Sequence, residues 1–184
     1  MQWDNFFIAI SKSSDPEFQI LISLLVFSIL YLLNNKLEAI CCVFNIVFTG
    51  ATNLVLKNLV KRPRPTGIRL VESHGYGFPS GHSSISTAIA IVLIYFIFKR
   101  MKNKKAAYLI SGFIVTYLIL VGISRVYLGV HYTTDVLGGW FLAIVWSYIT
   151  IMLYKFCMTK GVNKFLDKYF TIKLNIFKNK SKSS

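Results

Sequence analysis

Carboxylates are scarce in this chain: seven Asp and Glu stand against twenty-one Lys and Arg, a formal charge of +14 over 184 residues. Cysteine is scarcer still. Cys41 and Cys42 are adjacent inside one apolar run and Cys157 ends another, so they make no disulfide framework and read as small apolar residues. Met1 to Ile10 has neither a basic start nor a small-residue cleavage site, and no cleavable signal peptide is expected there. Internal repeats are absent too, and so is any separate soluble domain or linker before the Lys-rich stretch from Thr159 to Ser184.

What remains is greasy. Hydrophobic residues make up 54% of the chain and the mean hydropathy is +0.55, so apolar and basic stretches must be segregated, as in a membrane protein. Five apolar runs stand out: Phe18 to Leu33, Leu37 to Leu56, Ser83 to Phe98, Ala106 to Ile123 and Val136 to Phe156. Each is near the ~17–25 residues that a helix needs to cross a bilayer, the first and third being short. A soluble bundle would need polar faces at helical spacing, and the first, third and fourth runs show almost none. The expected fold is therefore all-α, a polytopic transmembrane bundle of about five spans, with Trp3 to Ile10 as an N-terminal interfacial helix. Residues 1–158 read as one integral membrane domain and residues 159–184 as a basic cytoplasmic tail, lying on the bilayer surface and not a nucleic-acid module.

With five crossings, Lys36, the loop Lys99 to Lys105 and the tail from Lys155 share one side, carrying fourteen basic residues against seven on the other. The richer side is expected to be cytoplasmic. The loops Lys57 to His82 and Ser124 to Asp135 then both open on the outer face, and between them they hold all three histidines.

The chemistry-bearing residues lie in those loops. Phe78-Pro79-Ser80-Gly81-His82-Ser83-Ser84 precedes an apolar run. A proline followed by small hydroxyl residues can simply start and cap a helix. The same helix start exposes N–H donors and a positive dipole end suited to an anion such as phosphate, with His82 as a proton donor beside it. At the end of the second run, Lys57, Lys61, Arg62 and Arg64 cluster on the side where the charge rule disfavours cations; headgroup contact with snorkelling side chains is the plain alternative to a site. A duplex-binding patch does not suit so short an outer loop. In the other loop His131 and Asp135 are four apart and share a helical face. A carboxylate on one imidazole nitrogen fixes the tautomer and leaves the other nitrogen as nucleophile or base; a structural pair with Asp135 as helix cap is equally compatible with the spacing.

Taken together, these residues form an ordered set. Lys57, six residues and Arg64-Pro65 come first, then Pro79-Ser80-Gly81-His82, then Ser124-Arg125, five residues, His131, three residues and Asp135. This resembles the three-part signature of the type 2 phosphatidic acid phosphatase superfamily, the lipid phosphate phosphatases, which share it with vanadium-dependent haloperoxidases. The resemblance implies that His131 is the nucleophile, taking the phosphoryl group as a phosphohistidine, with Asp135 orienting it. It implies that His82 is the general acid, and that Lys57, Arg64, Arg125, Ser80 and Gly81 hold the phosphate oxygens. It further implies an enzyme that needs no metal and no cofactor, because fixed cations and a helix start can stabilise a phosphoryl transition state.

The expected partners are a lipid phosphate substrate and the bilayer, with no nucleic acid, in a multi-pass protein of the cytoplasmic membrane. Small size, five spans and an outer site look like the bacterial undecaprenyl-diphosphate phosphatases; phosphatidylglycerophosphate or phosphatidate phosphatase is the alternative. From another class, an anion-binding or transport protein would also place charges at span ends, but no repeated halves or broken spans are read here. Lys61, Arg62 and Arg69 are read either as surplus cations able to meet an anionic headgroup or second phosphate or, equally, as snorkelling side chains, His74 as a plain loop residue, and Trp3, Trp140 and Trp146 as interface or packing aromatics. Asn45, Thr49, Thr52 and Asn53 mark the second span as one that faces other helices.

Overall fold

The computed structural model describes residues 2–33, 35–162, 165, 166 and 168. Six helices follow one another: α1 (Gln2–Lys12), α2 (Pro16–Leu32), α3 (Lys36–Val60), α4 (Gly81–Arg100), α5 (Lys104–Tyr127) and α6 (Thr133–Thr159). No strand occurs among the described residues. The expected basic tail lies beyond α6 and, apart from residues 159–162, 165, 166 and 168, outside the described residues.

Helices α3 to α6 are each long and apolar enough to cross a membrane, and α1 with α2, bent by 49° across a short break, qualify together as a fifth span. The segment Trp3 to Ile10, expected as an interfacial helix, is helical within α1, and the bend where it joins α2 is a break that the sequence reading did not include. Phe7 packs its ring on Tyr127 at 4.3 Å, Asp4 accepts from the Tyr127 hydroxyl, and Ser13 meets Tyr117, so α1 lies along α5 before the chain turns into α2. The break has a local cause. Ser13, Ser14, Asp15 and Pro16 interrupt the helical run, and Pro16 lacks the N–H that would continue it.

Helix α4 is central, packing most extensively on α6 and also on α5 and α3. The seams are lined by small or hydroxyl residues: Ala39, Ala88, Ala90, Ala143, Ser83, Ser84 and Ser147 are buried. In a bilayer, where lipid competes for apolar surface, close backbone approach and interhelical hydrogen bonds hold helices together. Asn45 accordingly donates to the Ala88 carbonyl at 2.8 Å and to Ser147 at 3.1 Å, while Trp146 donates to Thr52. The second span does face its neighbours, as its polar residues foretold. Large side chains instead point outward: Leu21, Phe113 and Phe141 are each more than 60% exposed, an apolar surface suited to lipid.

At the end of the bundle away from the histidines, buried Glu38 ties three helices. It accepts from Lys99 at 3.0 Å, from Arg100 and from the Tyr154 hydroxyl. At the opposite end the connections 61–80 and 128–132 meet, with Leu70 N–H donating to the Leu128 carbonyl. The two expected outer loops therefore lie at one end.

Candidate active site

The site is built around the start of α4. Ser80 is its N-cap, its hydroxyl oxygen accepting from the Ser83 N–H at 3.4 Å and from the Ser83 hydroxyl at 3.1 Å. Its own O–H proton is left as the remaining donor. Asn53 of α3 holds this turn by donating to Ser84 at 3.0 Å and to the Pro79 carbonyl at 3.4 Å. On the other side Gly139 of α6 is required: a Cβ there would stand 2.7 Å from the Ser80 carbonyl oxygen and 3.2 Å from the Ser84 nitrogen. The plain reading of this stretch as a capped helix start is thus realised, and Gly81 and His82 follow in its first turn.

His131 is buried in the connection before α6. Its Nδ1 lies 3.3 Å from Asp135 Oδ2, and Asp135 is fully buried. The same carboxylate oxygen accepts the Tyr132 N–H at 2.9 Å, so Asp135 both caps α6 and faces the imidazole. The two alternatives left open by the spacing are both occupied. His131 Nε2 is 3.2 Å from Arg64 Nη1. A guanidinium only donates, so Nε2 carries the lone pair and Nδ1 the proton directed at Asp135. Burial, then Arg64, Arg125, Lys57 and His82 in that order, hold the His131 pKa far below the ordinary imidazole range. That list also shows which charged groups converge on the ring.

The cations are placed by neutral backbone oxygens. Lys57 donates to the Tyr76 carbonyl at 2.8 Å, and Arg64 to the carbonyls of His74, Gly75 and Val130. Burial and the charge of Arg69 press the Arg64 pKa down, opposed by Asp135. Arg125 is buried and donates from Nη1 to Ser11, while its Nε has no partner among the described residues. A buried guanidinium N–H without an acceptor is costly, and an anion at this place would satisfy it.

All eight residues singled out in the sequence, Lys57, Arg64, Ser80, Gly81, His82, Arg125, His131 and Asp135, are gathered at this end of the bundle. Two features differ from expectation. Arg62 is not a surplus cation: its Nη1 lies 3.0 Å from Asp135 Oδ1 and 2.5 Å from Thr134 Oγ1, and its guanidinium stacks 4.4 Å over Tyr132. His82 Nε2, moreover, meets Asp15 Oδ1 at 2.9 Å, a partner from the α1–α2 turn outside every motif. The polar cluster Ser11 to Asp15, set between two apolar runs, was the one signal of it in the sequence. His74 supplies only its carbonyl. Among the described residues no group of three or more His, Cys, Asp or Glu is arranged to hold a metal ion.

Such a site can bind a tetrahedral anion, attack it from His131 Nε2 and protonate a leaving oxygen from His82. Known proteins share this architecture and its sequence. The chain is 46% identical over 97 residues to phosphatidylglycerophosphatase B of Bacillus subtilis, covering 50% of this chain and 46% of that one. Against an undecaprenyl-diphosphatase of Sulfolobus acidocaldarius it is 29% identical over 101 residues, covering 55% and 41%. The chain spans about half the length of the curated relatives it matches. The crystal structure of a transmembrane PAP2 type phosphatidylglycerolphosphate phosphatase from Bacillus subtilis superposes with a TM-score of 0.74 at 30% identity, over 84% of this chain and 77% of that one. Residues 38–158, containing every motif residue, match the model of the PAP2 superfamily, and the chain belongs to that family.

Proposed function

We propose that this multi-pass membrane protein is a metal-independent lipid phosphate phosphatase working through a phosphohistidine at His131. The observation that carries this reading is the convergence of a carboxylate-held imidazole, a second histidine and three cations, Lys57, Arg64 and Arg125, at one helix start. The phosphate displaces Arg64 from His131 Nε2 and takes its donors from Arg64, Lys57, the free Arg125 Nε, the Ser80 hydroxyl and the Gly81 N–H. His131 attacks in line while His82 protonates the departing oxygen; water then releases phosphate, with His82 as base. Surrounding cations would repel a divalent ion.

An apolar groove of about 480 Å³ between α2 and α3 begins at Pro16 and Gln19, beside His82, and suits the hydrocarbon of a lipid substrate. Phosphatidylglycerophosphate is the first substrate to test, supported by the name of the Bacillus subtilis relative and by that of the Bacillus subtilis crystal structure. Undecaprenyl diphosphate, favoured by the sequence alone, is the second reading. Support for it comes from the Sulfolobus relative's name, but Arg62 is drawn to Asp135, and Arg69 spends two donors on the Pro65 carbonyl. The site is assigned to the outer face of the cytoplasmic membrane on the fourteen-to-seven basic count, and residues 159–184 to the cytoplasmic side.

The test is phosphate release by the purified protein from phosphatidylglycerophosphate, phosphatidate and undecaprenyl diphosphate in detergent. Fastest release from phosphatidylglycerophosphate is expected; no release from any of the three would overturn the proposed activity.

A further inference from the structure

The turn between α1 and α2 precedes the family match at residues 38–158, yet it reaches the site at several points. Asp15 Oδ1 contacts His82 Nε2 at 2.9 Å. Buried Ser11 accepts from Arg125. Gln19, one turn into α2, donates to the His82 carbonyl at 3.2 Å and to Ser86 at 3.0 Å.

The behaviour of Asp15 is informative because it has an ordinary task available. It is the N-cap of α2, followed by Pro16 at the first helical position, where an aspartate normally accepts from a free N–H of the first turn. Its side chain makes no such bond. The carboxylate is turned to the imidazole instead. A purely structural aspartate at that position would cap its own helix.

We propose that Asp15 is the positioning carboxylate of His82, the counterpart of Asp135 at His131, and that the N-terminal helix pair thereby completes the acid half of the site. This rests on the reading of His82 as the general acid.

The two pairs use opposite ring nitrogens. His131 gives Nδ1 to Asp135 and keeps Nε2 for phosphorus; His82 gives Nε2 to Asp15 and keeps Nδ1 for the leaving group. In the protonated His82 ring the Nε2–H stays on Asp15. The Nδ1–H passes to the leaving oxygen as its bond to phosphorus breaks and the bond from His131 Nε2 to phosphorus forms. The neutral His82 ring then holds a lone pair at Nδ1, which takes a proton from the water that attacks the phosphohistidine. That proton restores the starting ring. The charged groups facing His82 are Asp15 from the turn, Arg125 from α5 and Arg64 from the 61–80 connection, with His131 nearby. Burial and both arginines oppose a charged imidazolium, and Asp15 acts against them.

The experiment compares wild type, Asp15→Asn, Asp15→Glu and His82→Ala in detergent. It reads kcat/KM for monoesters that differ in leaving-group acidity, from a short-chain phosphatidate to p-nitrophenyl phosphate, whose leaving group departs without a proton. For Asp15→Asn a loss of about 10–100-fold is expected on the phosphatidate, within the range of general acid help. p-Nitrophenyl phosphate should change less than about threefold and inhibition by vanadate should be unaltered, which also shows that the site is folded; on the phosphatidate, Asp15→Glu should recover part of the loss. An equal loss on both esters, or none, would overturn the role of Asp15. If His82→Ala shows the leaving-group dependence and Asp15→Asn does not, this proposal alone falls; if neither shows it, the assignment of His82 falls too.

Discussion

Replacing Arg62 with glutamine separates two accounts of the outer-loop cations. In the structure Arg62 is held away from the open loop, bonded to Asp135 and Thr134 and stacked on Tyr132. Its partner Asp135 is fully buried, whereas the Arg62 side chain is 34% exposed. Removing one member of a fully buried pair costs about 3–5 kcal/mol, and exposed pairs are worth about 0–1 kcal/mol. A half-sheltered pair falls between, and about 1–2 kcal/mol is expected here, since Asp135 keeps the Tyr132 N–H and the His131 imidazole. If that loss is felt as misorientation of His131, kcat/KM falls roughly 5–30-fold. The fall should be the same for phosphatidylglycerophosphate and undecaprenyl diphosphate, because in the proposed mechanism Asp135 acts on the nucleophile and not on a particular headgroup. The assay is initial-rate phosphate release on both lipids, with the thermal midpoint in detergent measured alongside. A selective loss on the diphosphate, at an unchanged midpoint, would refute this reasoning and restore Arg62 as a cation that touches the second phosphate.

Two further outcomes follow from the same geometry. Because burial holds the His131 pKa below its unfolded value near 6.5, unfolded chains bind the extra proton between those values, so its effect is absent above about pH 7 and destabilising as pH falls. Wild type should lose about 2 kcal/mol more than His131→Gln between pH 7 and pH 5, read from unfolding in detergent at each pH, and parallel profiles would contradict the buried neutral imidazole. Gly139→Ala would push a methyl into the Ser80 carbonyl and the Ser84 nitrogen, costing about 1–3 kcal/mol and shifting the first turn of α4. Its activity should fall far more than its expression, since small misplacements at a reacting centre can cost 10²-fold; full activity would mean the seam gives way elsewhere.

Much of this site was legible because its residues sit in short, ordered motifs at span ends. The i, i+4 spacing of His131 and Asp135 survives as a contact, since His131 stands just before α6 and Asp135 in its first turn. Ser80 was readable as a cap for a local reason: its bond closes within three residues. What the sequence hid are contacts set by packing between distant elements. Nothing local distinguishes an Asp15 that caps α2 from one that turns to His82, 67 residues away. Arg62 beside Arg64 looks like one more loop cation until the 61–80 connection folds back over α6. That the first helix lies along α5 was hidden likewise, because its contacts with Tyr117 and Tyr127 join residues more than a hundred positions apart.

The claim that all else depends on is the covalent step at His131. The protein, supplied with a ³²P-labelled monoester in the presence of EDTA and quenched in denaturant, should carry acid-labile label on the peptide containing His131. His82→Ala should accumulate more of it from an aryl phosphate, whose release needs no acid but whose phosphoenzyme still needs water activated. His131→Ala should carry none and release no phosphate. Label that persists in His131→Ala, or full turnover by that variant, would contradict the account.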